Sequence, residues 1–168
     1  MRSRMVDLLM LLVVLSIGAM VWHFREHPTH RQFQSERQLA DEALKERDFR
    51  AAVSHLQHCV RMARQMGDRE LEHEALDDLG WSYFELGDLE QAAKFQQEAV
   101  LRAEEAHGPD NPKVALYLAR LTRVTPDPKL AREYLARAEA IYRRTFPPGP
   151  DLEAALAPLE EQRKSLAP

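Results

Sequence analysis

The central part of the chain combines a helical spacing of apolar residues with one short break. Residues 75–99 read ALDDLGWSYFELGDLEQAAKFQQEA. Leu76, Leu79 and Tyr83 are three and four residues apart, which places them on one face of a helix. Gly87 and the aspartate after it then interrupt the pattern, because Gly is favoured just beyond a helix end and Asp caps the next helix. The stretch therefore predicts two helices joined by a tight turn.

Gly80 lies in the middle of the apolar face of the first helix. Glycine costs about 1 kcal/mol relative to alanine inside a helix, so its presence there needs a compensating reason. Close approach of a neighbouring helix is the usual one. Ala92 and Ala99 on the second helix are small where two helices must touch. We therefore expect the two helices to pack closely at Gly80.

The same arrangement occurs three times along the chain. A set of capping and small residues recurs at offsets of 40 and then 39: Asp48, Ala52 and Cys59; Asp88, Ala92 and Ala99; Asp127, Ala131 and Ala138. The predicted helices cover about 33–46, 49–66, 69–86, 89–107, 111–124 and 128–145. Because one helix pair cannot bury its apolar face alone, the three pairs are expected to stack on one another.

The repeated unit resembles a known family. The Leu-Gly-x-x-Tyr spacing at Leu79, followed by the Gly-Asp pair and the two alanines, is similar to the tetratricopeptide repeat (TPR), a helix-turn-helix repeat of about 34 residues. The segment 103–112, AEEAHGPDNP, resembles the longer repeats of kinesin light chains and their bacterial relatives. The resemblance covers roughly residues 33–145. It implies an all-α solenoid of three TPR-like helix hairpins that binds a protein or peptide in a concave groove.

In this family the first helix of each hairpin lines the groove. Carried over position by position, the resemblance implies these groove candidates: Arg37, Asp41, Glu74, Asp77, Trp81, Phe84, Glu85, Lys113, Arg120 and Arg123. Trp81 and Phe84 are the most informative, because buried aromatic anchors carry much of the binding energy in many interfaces. The alternative is that Trp81 packs against the neighbouring repeat or the C-terminal helix. The acidic residues of the second repeat favour a partner with a basic or apolar stretch.

The N-terminus has a different character. Residues 8–24, LLMLLVVLSIGAMVWHF, contain no formally charged side chain. As a helix, these 17 residues would be about 26 Å long, close to the ~30 Å of a bilayer core. We predict an uncleaved single-pass N-terminal transmembrane helix within residues 1–24. A signal peptide that uses the small residues Ser16, Gly18 and Ala19 as its exit, or a buried helix, are the alternatives.

The flanking charges indicate an orientation. The short basic tail with Arg2 and Arg4 is expected to stay in the cytoplasm, whereas large folded domains translocate with little regard for charge. The repeats are therefore expected on the extracytoplasmic side, which is the periplasm in a bacterium. The predicted organisation is an anchor (1–24), a linker (25–32), a repeat domain (33–146), and a Pro-rich loop with a C-terminal capping helix (147–168).

Composition and motifs indicate few other functions. The net charge of −4 gives no reason to expect nucleic acid as a partner. His55, His58 and Cys59 share one helical turn and have zinc-ligand chemistry, but Cys59 occupies a core-facing position while the histidines face outward. No Gly-rich phosphate loop or hydrolase motif is present, so we expect no enzyme activity, cofactor, metal or small-molecule substrate.

These observations predict a membrane-anchored TPR adaptor. It would bind a protein or peptide partner in its groove, close to the bilayer through residues 8–24. The alternative is a structural subunit or assembly factor of a larger membrane or envelope complex, with no peptide in the groove. The two differ at Trp81, whose truncation should abolish binding in an adaptor and either do nothing or destabilise the domain in a structural subunit.

Overall fold

The computed structural model describes residues 10, 13–17 and 29–166. Between residues 29 and 166 the chain forms seven helices: α1 (His30–Lys45), α2 (Phe49–Met66), α3 (Arg69–Glu85), α4 (Leu89–His107), α5 (Pro112–Val124), α6 (Pro128–Thr145) and α7 (Pro150–Ser165). This part of the chain contains no strand, so the all-α prediction is confirmed for it. The first six helices begin and end within three residues of the predicted bounds.

The helices form three hairpins, α1–α2, α3–α4 and α5–α6. Each helix packs against the next one in the chain, and the first helices α3 and α5 also touch each other. The first helices of the three hairpins, α1, α3 and α5, form a row. The last helix, α7, packs on α6 and contacts α5, so it takes the next place in this row of first helices. Leu152, Leu156 and Leu159 are buried on its inner face, so α7 acts as the predicted C-terminal capping helix. The result is an α-solenoid closed at one end by α7.

Aspartate caps explain part of the recurring sequence pattern. Asp48, Asp88 and Asp127 precede α2, α4 and α6, and each side chain accepts a backbone N–H of the first helical turn at 2.8–3.1 Å. These bonds satisfy N–H groups that have no partner inside the helix. Immediately before two of these caps the backbone turns through a positive φ, of 58° at Arg47 and 80° at Gly87.

Gly80 allows α3 and α4 to approach closely, as expected. A Cβ atom at this position would lie 2.9 Å from both Cγ and Nε2 of Gln96 and 3.1 Å from its backbone nitrogen. Gln96 is only 2% exposed, and its amide donates a hydrogen bond of 2.9 Å to the carbonyl oxygen of Asp77. The side chain of Gln96 therefore cannot move away without losing that bond.

The core contains small and leucine side chains from all seven helices. Its largest fully buried members include Leu56, Leu76, Leu79, Leu118, Leu121 and Leu135. Cys59 lies among them with no exposed surface, which agrees with its predicted core-facing position. Burial raises the pKa of the Cys59 thiol to about 11, so this thiol is poorly reactive at neutral pH.

The predicted membrane anchor lies mostly outside the described residues. Of positions 8–24, the structure describes only residue 10 and residues 13–17. Among the helices in the described part of the chain, none is long and apolar enough to cross a bilayer.

We predict that Gly80→Ala destabilises the domain. The added methyl group must displace Gln96, and overpacking of this kind costs about 1–3 kcal/mol, more than the ~1 kcal/mol gained in helix propensity. We expect the free energy of unfolding in urea to fall by about 1 kcal/mol. In a Gln96→Ala background, where Cγ and Nε2 are absent, the same substitution should cost clearly less. An equal cost in both backgrounds would contradict the proposed contact.

Candidate functional site

Two aromatic rings and two guanidinium groups meet between α3 and α5. Trp81 and Phe84 are three residues apart on α3, and their ring centroids are 5.2 Å apart. The guanidinium carbon of Arg123 lies 4.9 Å from the Trp81 ring centre and 4.6 Å from that of Phe84. Arg120, one helical turn earlier on α5, lies 5.8 Å from the Trp81 ring centre. These are cation–π distances, so the rings and the guanidinium groups attract one another.

Trp81 lines a cleft of about 360 Å³ that crosses the row of first helices. The cleft is bounded by residues of α1, α2, α3 and α5 and of the turn between α1 and α2: Leu44, Arg47, Phe49, Asp78, Trp81, Glu85 and Arg120. Phe84 is also partly buried and packs against the core. Trp81 therefore contacts the arginines of the next hairpin, as expected if it packs against the neighbouring repeat. It also borders an open cleft, as expected if it anchors a partner.

Most of the charged groove candidates form ion pairs with one another or with residues next to the groove. The pairs are Arg37 with Asp78 (2.6 Å) and Asp41 (3.1 Å), Lys113 with Glu74 (2.8 Å) and Glu70, Arg47 with Glu85 (3.3 Å), and Arg120 with Asp77. The acids of the second repeat are thus matched by cations from its neighbours. Of the two partner types expected from the sequence, a basic or an apolar stretch, these pairs favour the apolar one, because the acids of the second repeat already have cations.

Asp77 lies deeper than the sequence indicated. It is only 5% exposed, and its Oδ2 contacts the guanidinium of Arg120. Its Oδ1 has no hydrogen-bond partner within the described part of the chain. Burial raises the pKa of this carboxyl to about 6, although Arg120 opposes the effect. Asp77 therefore supports the groove from below and does not offer its carboxylate to a partner.

Arg123 differs from the other basic candidates. Between residues 29 and 166 it forms no ion pair, and its guanidinium lies against the two rings. Its side chain is exposed. It is thus a cation without a partner acid in this region, placed directly beside the aromatic pair.

A second cluster of polar side chains lies where α3 begins and α4 ends. The Nε2 atom of His73 is 3.1 Å from Nε2 of His107 and 3.2 Å from Oε2 of Glu70. Nε2 of His107 and Oε2 of Glu70 are 2.5 Å apart. His73 is completely buried, and its Nδ1 lies 3.0 Å from the hydroxyl of Tyr117. The ammonium of Lys113 contacts Oε1 of Glu70.

The environment shifts the protonation of this cluster. Burial is the largest effect on His73 and lowers its pKa, although Glu70 opposes it. Burial would raise the pKa of Glu70, but hydrogen bonds from Lys113 and His73 outweigh it and lower that pKa to about 2. Glu70 is therefore a carboxylate throughout the neutral range.

The sequence pattern did not predict this cluster; the residues with zinc-ligand chemistry that it indicated were His55, His58 and Cys59. Glu70 and His73 form a Glu-x-x-His pair that shares one helical face, which is a usable signal. His107 is 34 residues further along and joins them only because an antiparallel hairpin places the last turn of α4 beside the first turn of α3. That meeting depends on tertiary geometry.

We predict that Asp77 makes stability depend on pH. A carboxyl whose pKa is raised by folding binds its proton more tightly in the folded state, so its contribution to stability grows as pH falls through 6 and is lost as pH rises. From pH 7.5 to pH 5, the unfolding free energy of the natural protein should increase by about 1 kcal/mol relative to Asp77→Asn. Urea unfolding of both proteins at the two pH values measures this difference. A constant or opposite difference would contradict the burial argument.

Known proteins share both the repeat pattern and the fold. The tetratricopeptide repeat family model matches residues 73–144, and no curated protein sequence matches the chain. The solved structures similar to it include the crystal structure of BtubC (BKLC) from P. vanneervenii, with a TM-score of 0.67 and 21% sequence identity. The match covers 90% of this chain and 62% of that chain. At this identity the likeness concerns the fold alone. Residues 73–144, which include Trp81 and Arg123, thus carry a tetratricopeptide repeat pattern within an α-solenoid.

Proposed function

We propose that this protein is a membrane-anchored adaptor that binds a protein or peptide partner at Trp81 and Phe84. The observation that carries the proposal is the partly buried aromatic pair with the Arg123 guanidinium against both rings, beside a cleft of about 360 Å³. Solenoid proteins use extended concave surfaces of this kind for binding. The tetratricopeptide repeat match at residues 73–144 supports a role in protein interaction.

The chemistry of the cleft defines the partner. Leu44, Phe49 and Trp81 form the apolar part of its lining. The charged part includes Asp78 and Glu85, which are already paired with cations. Arg123 lacks such a pair in the described part of the chain. The partner we propose is therefore a segment with a large apolar side chain that enters the cleft, next to an Asp or Glu that reaches Arg123.

The backbone at Arg47 supports this assignment. Its φ of 58° is left-handed, and the corresponding position in the next repeat is Gly87. A side chain costs roughly 1–2 kcal/mol in that conformation. Such local strain is often found at functional sites. Arg47 lines the cleft and holds Glu85, so its side chain has a use there that glycine would lack.

Peptide selection tests this proposal. A random peptide library is selected on the full chain in detergent, and the enriched sequences are expected to combine an aromatic or large aliphatic residue with Asp or Glu. Trp81→Ala should weaken binding of these peptides at least tenfold by removing the anchor contact. Arg123→Glu should change the preference from acidic to basic peptides, because it reverses the charge beside the rings.

Arg61→Glu is the matched control, since Arg61 is an exposed arginine on α2 that does not line the cleft. It should leave the selected sequences unchanged. If Trp81→Ala binds the same peptides equally well, or if Arg61→Glu alters the preference as Arg123→Glu does, the groove assignment fails.

The alternative function is that of a structural subunit or assembly factor with no peptide in the groove. The ion pairs between α1, α3 and α5 favour it, because they satisfy most of the charged groove residues within the chain and leave few for a partner. In that case Trp81→Ala should either change nothing or lower the unfolding free energy, and the library should return no consensus. The same two measurements therefore separate the two functions.

We further propose that residues 8–24 anchor the protein in a membrane, with the repeats on the extracytoplasmic side. The support is the uncharged apolar stretch and the basic tail that precedes it. Tethering to a surface raises the local concentration of groove and partner, so a weak peptide affinity would suffice. The repeat offsets of 40 and 39 residues support assignment to the long, kinesin-light-chain-like type of repeat.

Cysteine labelling tests the anchor and its orientation. The only cysteine, Cys59, is buried and gives little background, so Arg61→Cys introduces one accessible thiol. We expect a membrane-impermeant maleimide to label Arg61→Cys in intact cells lacking an outer membrane barrier, while Ser3→Cys reacts only after detergent is added. The opposite pattern would reverse the orientation. Release of the protein by alkaline carbonate, or a mature mass without the first 19 residues, would contradict the anchor.

A further inference from the structure

We propose that Glu70, His73 and His107 form a binding site for a divalent transition metal ion of the zinc type. The ion would join the first turn of α3 to the last turn of α4. This inference is independent of the proposed peptide groove, because none of the three residues lines the cleft at Trp81.

The three potential ligand atoms already converge. The separations from Nε2 of His73 are 3.1 Å to Nε2 of His107 and 3.2 Å to Oε2 of Glu70. In a tetrahedral zinc site with bonds of 2.0–2.1 Å, neighbouring ligand atoms are about 3.3 Å apart. The remaining separation, 2.5 Å between His107 and Glu70, must widen. His107 is the last residue of α4 and is partly solvent-accessible, so its side chain has room to do so.

The ring nitrogens face each other in a way that suits a shared ion. Two Nε2 atoms at 3.1 Å cannot both carry a proton directed at the other, so at least one presents a lone pair. The hydroxyl of Tyr117 lies 3.0 Å from Nδ1 of His73 and can accept its N–H. In that tautomer Nε2 of His73 carries no proton, so a bound ion would replace the hydrogen bond that Nε2–H donates to Glu70 in the metal-free protein. A hydrogen bond to the second ring nitrogen is the usual support of a metal-bound histidine.

Lys113 determines how Glu70 would bind. Its ammonium contacts Oε1 of Glu70 and lies 2.8 Å from a carboxylate oxygen of Glu74. Oε2 of Glu70 therefore remains as the single oxygen facing the histidines. The positive charge of Lys113 disfavours a nearby cation, but the carboxylates of Glu70 and Glu74 offset it.

The site is accessible from solution on one side. Glu70 and His107 line an open cleft of about 540 Å³, whereas His73 closes the inner side with no exposed surface. An ion can therefore enter from the cleft, and water can fill the fourth position of the tetrahedron. Because the ligands come from two helices, the bound ion would stabilise the α3–α4 hairpin in the folded state.

Titration of the full chain with Zn²⁺, and with Co²⁺ for its visible absorption, tests the site. Calorimetry should show binding that His107→Gln and Glu70→Gln each weaken at least tenfold, and that His55→Gln leaves unchanged. His55 is the matched control, because its Nδ1 is 2.8 Å from Glu36 on the outside of the first hairpin. Far-ultraviolet circular dichroism checks that all three variants are folded. Zn²⁺ should also raise the thermal unfolding midpoint of the natural protein and His55→Gln, but not of His107→Gln.

Tyr117→Phe provides an additional test that keeps the aromatic ring and all three ligands. Loss of the acceptor for Nδ1 of His73 should weaken Zn²⁺ binding by about tenfold. The proposal is overturned if the natural protein does not bind Zn²⁺ or Co²⁺ at micromolar concentrations. It is also overturned if His107→Gln loses no binding, or if His55→Gln loses as much as His107→Gln does.

Discussion

The close contact between Gly80 and Gln96 sets the geometry on which both candidate sites depend. With no Cβ at Gly80, α4 comes close enough for the Gln96 amide to bind the carbonyl oxygen of Asp77. This bond satisfies a buried amide N–H and fixes the two helices relative to each other. Trp81 follows Gly80 directly on α3, and His73 lies two turns before it. Any change in the spacing of the hairpin would therefore move both groups.

Electrostatic pairing between first helices is the second constraint. Arg37 binds Asp78 across α1 and α3, while Arg120 binds Asp77 across α3 and α5. Fully exposed ion pairs contribute little to stability, but Arg37 and Asp78 are both half-buried, and the buried carboxylate of Asp77 requires its arginine. Together the pairs neutralise most of the groove. In the proposed adaptor, recognition would therefore rest on the aromatic pair and Arg123, and specificity on the shape of one cleft and on one charge.

The two proposals assign different roles to the two ends of one hairpin. The aromatic pair is near the C-terminal end of α3 and faces the row of first helices, where a partner would bind. The Glu70–His73–His107 cluster is at the opposite end of the same helix, where α4 finishes. A bound ion there would stabilise the hairpin without touching the groove, because about two helical turns separate His73 from Trp81.

The sequence by itself determined the helices, their order and their pairing, because these follow from local spacing, Asp caps and short turns. It also indicated Gly80 as a close contact and placed Cys59 in the core. Only the tertiary structure showed that Asp77 is buried. Asp77 lies at the edge of the apolar face of α3, and the packing of α5 decides whether a residue there is exposed or covered. The convergence of Glu70 and His73 with His107 likewise required the hairpin, because burial and side-chain distances between helices are set by packing, which periodicity along one helix does not specify.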